Sequence, residues 1–449
     1  MPKIHIDLAV SARWVVPIVP KHTVFENCTL IANKGKIIAI IPTVEAQKNY
    51  EATTWHTLDS HILMPGLINS HGHAAMSLLR GYADDLPLKP WLEQHIWPAE
   101  QKWVDEAFVE DGSKLAIAEM LLSGTTCFAD MYFFPEITAK VALEAGIRSQ
   151  LAFTIMDFPT PWTNGADECF DKGFALQDTY RSHDLINIAF GPHAPYTVSN
   201  DVFTKIAHYA KERQSPIQVH LHETAEEVNT SLKAYGMRPI ERLAKLGVLS
   251  PFTQCVHMTQ INDVDIEILQ SSGAHVVHCP ESNLKLASGL CPTDKLLNAH
   301  INVALGTDGA ASNNDLNMLM EMQTAALVGK HAAGDASAIC AHTALEIATL
   351  NGAKALGIAD TIGSLEVGKA ADMIAINMDH IGMQPLHNPI NQLIYCANNA
   401  HVEHVWVNGK PLVKDAKLTT LNLKNIMTRA DKWCKKMQKS ATATTRHTE

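Results

Sequence analysis

Between residues 4 and 63 the apolar residues come in short β-rich runs, IHIDLAV, RWVVPI, TLIA and KIIAIIP. The last two are separated by Asn33-Lys34-Gly35, a hairpin-type turn signal, so this stretch predicts a small β-sheet module. Beyond Pro65 the pattern changes to strand-like apolar pieces alternating with longer helical ones: KLAIAEMLLSG then TTCFADMY, PEITAKVALEAG then IRSQLAFTI, SNDVFTKIAHYAKER then SPIQVHLHE. TQCVHM, HVVHCP and NVALGTD continue the series.

Such alternation over about 300 residues means a parallel barrel or a doubly wound sheet, and the polar residues decide between them. His71, His193, His220, His257 and Asp308 each fall at or just after the carboxyl end of a separate strand candidate. A closed barrel brings such ends to one face. After about residue 365 β character returns in ADMIAINMD and HVEHVWVNGKPLV, followed by a helix with a polar tail. The expected architecture is therefore α/β: a (β/α)8 TIM barrel over residues 64–364, with a small β-sandwich built from both chain ends, 1–63 and 365–449. The terminal helix is assigned to the second part.

A chain of 449 residues suits this plan, with 46% hydrophobic and 18% charged residues. The net charge of −11 leaves no basic surplus for phosphates, which argues against nucleic acid and for a small uncharged substrate. The nine cysteines include no CxxC pair and point to a reducing cytoplasm. The opening MPKIHIDLAV lacks the apolar core of a signal peptide, and no stretch is apolar for long enough to span a membrane. The oligomeric state is left open, a homo-oligomer included.

His71-Gly72-His73 follows ILMPGLIN. Residues two apart on an extended strand share a side, so both imidazoles can reach one ion. PIQVHLHET supplies His220 as a further ligand, and Glu223 three residues on as an acid/base group leaning over the metal. His222 shares the side of His220 on an ideal strand and is the alternative ligand. Asp308, in the glycine-flanked turn of NVALGTDGAASNN, is placed to bind the metal and accept a proton from its water. His257, in CVHMTQ, ends the strand between those of His220 and Asp308, where a cation would stabilise developing charge.

Taken together, MPGLINSHGHAAMSLLRGYADDL, GPHAPYTVS, VHLHET, HCPESNLKLASG and LGTDGAASNN resemble the methylthioadenosine/S-adenosylhomocysteine deaminases of the amidohydrolase superfamily, from about residue 8 to 410. The resemblance implies that His71, His73, His220 and Asp308 hold one divalent ion, usually zinc, so one zinc per chain. Binuclear relatives add a bridging lysine on the fourth strand, where FGPHAP offers His193 and no lysine. It further implies Glu223 as proton shuttle, His257 as the residue orienting the water, and Trp91, Glu100, His193 and Ser312 around a nucleoside. Many such proteins carry a histidine before the cysteine of CVH; Gln254 stands here, so His257 fills the catalytic position only if the register shifts.

The substrate so implied is 5'-methylthioadenosine, yielding 5'-methylthioinosine and ammonia, with S-adenosylhomocysteine or adenosine weaker. Relatives that use the larger nucleoside offer arginines after the third barrel strand. Between Arg148 and Arg181 this chain has only Lys172 as a basic residue, and Phe153, Phe158 and Trp162 are expected to pack on the methylthio group. Two other readings stand beside this one. The same chemistry serves deamination of guanine or a triazine ring, or hydrolysis of an aryl chloride; a noncatalytic amidohydrolase-fold scaffold would need none of the ligands present here. GSLEVGKA at 363–370 mimics a phosphate loop but ends in Ala370 where serine or threonine is required, so a turn is expected.

Overall fold

The computed structural model describes residues 2–445. Eight parallel strands follow one another in sequence order: Leu67–Asn69, Thr125–Tyr132, Arg148–Ile155, Ile186–Pro192, Ile217–Leu221, Thr253–His257, His275–His278 and Val303–Leu305. The last returns to the first through the amide of Ser70, which donates to the carbonyl of Leu305 at 2.8 Å, so the sheet closes as a TIM barrel. Most of these strands are buried on both faces, which is why they read as near-continuous apolar runs.

Both chain ends build a second, mixed sheet. Its order is Lys417–Leu418, Lys410–Lys414, Val402–Val407, Met373–Asn377, Tyr50–Pro65, Ile4–Val15, Phe25–Asn33, Lys36–Pro42. The expected hairpin is present, with Lys34 (φ 49°) and Gly35 (φ 75°) as its two central residues. The sheet folds over itself: Leu30 and Ile37 from one wing share a core with Met373 and Trp406 from the other. GSLEVGKA forms turns stitched to this sheet, with Leu365 N donating to Pro17 O and Gly368 N to Ile37 O. The final helix, Leu423–Thr445, lies elsewhere: Trp433 meets Phe108 edge-on and donates to Asp111 Oδ2, both on the barrel helix Glu106–Leu122.

The described part of the chain contains no helix long and apolar enough to cross a membrane. All nine cysteines are free.

Candidate active site

The carboxyl ends of the barrel strands bring His71, His73, His220, His257 and Asp308 together. His73 Nε2 lies 3.1 Å and His71 Nε2 3.5 Å from Asp308 Oδ1, and the Nε2 atoms of His71 and His220 face each other at 3.2 Å. Each ring is oriented from behind. His71 Nδ1 donates to Gln218 Oε1 at 2.8 Å, His73 Nδ1 to the carbonyl of Met131 at 2.6 Å, and His220 Nδ1 to the carbonyl of His193 at 2.7 Å. An oxygen of this kind only accepts, so the proton sits on Nδ1 and all three Nε2 lone pairs converge. Two lone pairs at 3.2 Å repel unless a cation lies between them, so the donor set of three imidazoles and a carboxylate fits a zinc-class ion.

Burial and the neighbouring histidines hold His220 well below the usual imidazole range, as a neutral ligand needs. Burial also lowers His73, but the hydrogen bond and charge of Asp308 outweigh it and bring it up to about 9. A bound cation takes the place of that proton.

His257 carries the opposite tautomer. Asn283 Nδ2 donates to its Nδ1 at 2.9 Å, leaving the proton on Nε2, which faces Glu223 Oε2 at 3.6 Å. It is thus a donor beside the imidazoles of His71 and His220. Gln254 sits three residues deeper, in a chain of amides: its Nε2 donates to Gln150 Oε1 and the carbonyl of Ala355, and its Oε1 accepts from Gln218. Gln218 also donates to the carbonyl of Ser70, so its Oε1 is fixed towards His71. These glutamines escaped the sequence reading; their signal is an amide on each of three buried strands. Replacing Gln218 with leucine is expected to weaken metal affinity or activity by about 10–100-fold, the usual cost of losing a ligand's outer hydrogen bond. A metal-binding titration of the variant checks it.

His222 turns out of the site. Its φ of 54° breaks the strand alternation, and its ring binds the carbonyl of Gln260 and the amide of Ile240. Asp308 (φ 62°) and His257 (φ 78°) also hold left-handed backbone, strain of the kind kept at functional sites. Gly306 lets the last strand pass the first: a Cβ there would come within 2.7 Å of the amide nitrogen of His71.

Glu223 is buried, and this, with the charges of Asp308 and Glu227, pushes its carboxyl well above the ordinary range. Glu227 fixes the loop by accepting from the amides of His222 and Glu223. Trp91, Glu100 and His193 line the cleft with Glu223, His73, His220 and Asp308. Tyr132 donates to Glu100 at 2.7 Å, and burial raises that carboxyl to about 7. His193, buried beside His73 and His71, falls to about 3.

Ser312 differs from expectation. It lies behind Asp308, to whose Oδ2 it and Ser282 both donate, and does not line the cleft. The three aromatics expected on the 5' side are also elsewhere. Phe153 packs on Phe190 and beside Gly173, Trp162 donates to Glu136, and Phe158 lies at the surface. The apolar wall is instead Leu92, Ile96, Trp97, Phe133, Met156 and Leu286. A larger hollow at the opposite end of the barrel, bordered by Arg148, Arg181 and Arg213, is remote from these groups.

A histidine-rich cluster whose donors fit a metal ion, at the mouth of a TIM barrel and beside a sheet built from both chain ends, defines a class, and the amidohydrolase family model matches residues 62–412. A 5-methylthioadenosine/S-adenosylhomocysteine deaminase from Teredinibacter turnerae is 55% identical over 432 residues, 96% of this chain and 98% of that protein. The chain belongs to the 5-methylthioadenosine/S-adenosylhomocysteine deaminase family of the amidohydrolases, and it is an aminohydrolase enzyme. Among solved structures, an adenosine deaminase from Xanthomonas campestris with bound zinc superposes with a TM-score of 0.97 at 44% identity, covering 98% of this chain and 100% of that one. An atrazine chlorohydrolase from Arthrobacter aurescens with zinc gives 0.88 at 24% identity, covering 95% and 99%, a likeness of fold.

Proposed function

We propose that this chain is a cytoplasmic enzyme that deaminates 5'-methylthioadenosine to 5'-methylthioinosine and ammonia, with S-adenosylhomocysteine and adenosine as weaker substrates. Residues 64–364 form the catalytic unit, and 1–63 with 365–449 its partner. The convergence of three tautomer-fixed imidazoles and Asp308 beside the buried carboxyl of Glu223 is the observation that carries this reading. The names of the relatives support an adenine nucleoside as substrate.

One zinc ion, held by His71, His73, His220 and Asp308, would supply the Lewis acidity that brings the pKa of a water towards ~7. Asp308 takes a proton from the attacking water, and the Nε2 proton of His257 steers the water's oxygen towards the ring carbon that bears the amino group. Glu223 delivers its proton to the adjacent ring nitrogen, and the proton taken up by Asp308 passes to the amino group, so that the carbon–nitrogen bond breaks and ammonia leaves. Glu100 and His193 hold the ribose, and Trp91 packs against the nucleoside.

Selectivity rests on the 5' side. Among the described residues lining the cleft there is no lysine or arginine, whereas Trp97, Met156 and Leu286 offer an apolar wall. A methylthio group suits such a wall, while the carboxylate of S-adenosylhomocysteine would lose hydration without gaining a cation. Steady-state assays are expected to give a higher kcat/KM for 5'-methylthioadenosine than for S-adenosylhomocysteine; equal values, or the reverse order, would refute the preference. Guanine and triazines, assayed in parallel, should show no turnover.

A further inference from the structure

A second group of histidines lies far from the barrel mouth, on the sheet made by both chain ends. Strand Met373–Asn377 runs between Tyr50–Pro65 and Val402–Val407. Asn377 pairs with His61, and Ala375 pairs with Leu63 on one side and His404 on the other, so alternation puts His61 and His404 on one face. Glu403 would ordinarily face the other way. The register, however, passes from Ala375 opposite His404 to Ile376 opposite Val402, leaving Glu403 as the extra residue of a bulge. Its Oε2 thereby lies 2.9 Å from His61 Nε2.

Ligand atoms of His61, Glu403 and His404 all lie within 4.8 Å of one another. Asp415 Oδ1 stands 3.7 Å from His404 Nε2, and the His56 ring centroid is 5.5 Å from that of His404. A plain histidine–glutamate pair leaves two things unaccounted for. His404 is only 4% exposed, yet its Nδ1 has no hydrogen-bond partner. The other two groups, moreover, are already oriented from behind: Ser60 Oγ is 3.4 Å from His61 Nδ1, and Asn377 Nδ2 donates to Glu403 Oε1 at 2.8 Å. Such outer hydrogen bonds are what ligating imidazoles and carboxylates have.

We propose that His61, His404 and Glu403 form a second metal site for a zinc-class divalent ion, separate from the reaction. Two imidazoles and a carboxylate suit zinc, whereas magnesium and calcium seek oxygen alone. The ion would pin Tyr50–Pro65 to Val402–Val407, joining residues 342 positions apart, and so stabilise the folded chain by an amount that grows with the logarithm of free zinc once the site fills.

The test uses the full-length holoenzyme, equilibrated with zinc buffered in the micromolar range, gel-filtered in the same buffer and measured by elemental analysis. The wild type is expected to carry one zinc per chain more than His404→Gln and Glu403→Gln, whose kcat/KM is unchanged. Its Tm should rise with zinc while theirs does not. Should His404→Gln fail to fold, the nearly isosteric Glu403→Gln carries the comparison. Equal zinc contents in wild type and variants overturn the proposal, as does a variant that loses its activity together with the ion.

Discussion

Replacing Glu223 with glutamine is expected to lower kcat by at least about 100-fold, the usual cost of losing a general acid, with the metal retained. The substitution keeps the shape of the side chain and removes the proton it delivers. Burial, Asp308 and Glu227 hold Glu223 protonated to higher pH than an ordinary carboxyl. The sign of the pH dependence follows: the active form is the protonated one, so in the wild type the rate falls as pH rises through the raised pKa. That alkaline limb should vanish in Glu223→Gln, since the amide does not titrate. A pH–rate profile of both proteins, with metal content measured alongside, checks the two statements together. Near-normal turnover in a variant that keeps its metal would remove Glu223 from the mechanism.

Replacing His71 and His73 together with alanine should have the larger effect, abolishing measurable turnover and lowering the zinc content by one ion per chain. Two of the four proposed ligands go at once, and the remaining His220 and Asp308 offer too few to hold zinc in a tetrahedral site. Activity assays and elemental analysis decide it. Full activity in this double variant would refute a centre built on those residues, as would two tightly held metals within the barrel mouth of the wild type.

Much of this arrangement was legible because strand ends announce themselves. His71, His220, His257 and Asp308 each follow an apolar run, and a barrel gathers such ends. What stayed hidden depends on local direction. Phe153 was expected in the cleft from the composition of its stretch, but side chains alternate along a strand, and it is Thr154 and Met156 that line the cleft while Phe153 faces the outer helices. His222 defeats the same alternation in reverse, because the strand ends at Leu221 and the backbone turns left-handed just beyond. Ser312 sits in a turn whose path no periodicity encodes, so its place behind Asp308 was unreadable. Gln150, Gln218 and Gln254 are ordinary polar residues in sequence and become a hydrogen-bonded chain only when the closed barrel brings three strands, not all of them neighbours, around one interior.

The pairing of Tyr50–Pro65 with Met373–Asn377 sets an order on the birth of the molecule. Some 308 residues of chain, counted from Pro65 to Met373, separate the partners. At about 5–20 residues per second, a ribosome delivers the second strand roughly 15–60 s after the first. Throughout that interval the strand Tyr50–Pro65 lacks its later neighbour, with apolar Ile62, Leu63 and Met64 awaiting cover. The barrel can close while the chain is still growing, but the sheet beside it is sealed only near the end of translation. A nascent chain of this protein is therefore exposed to mispairing for as long as its catalytic unit is being made.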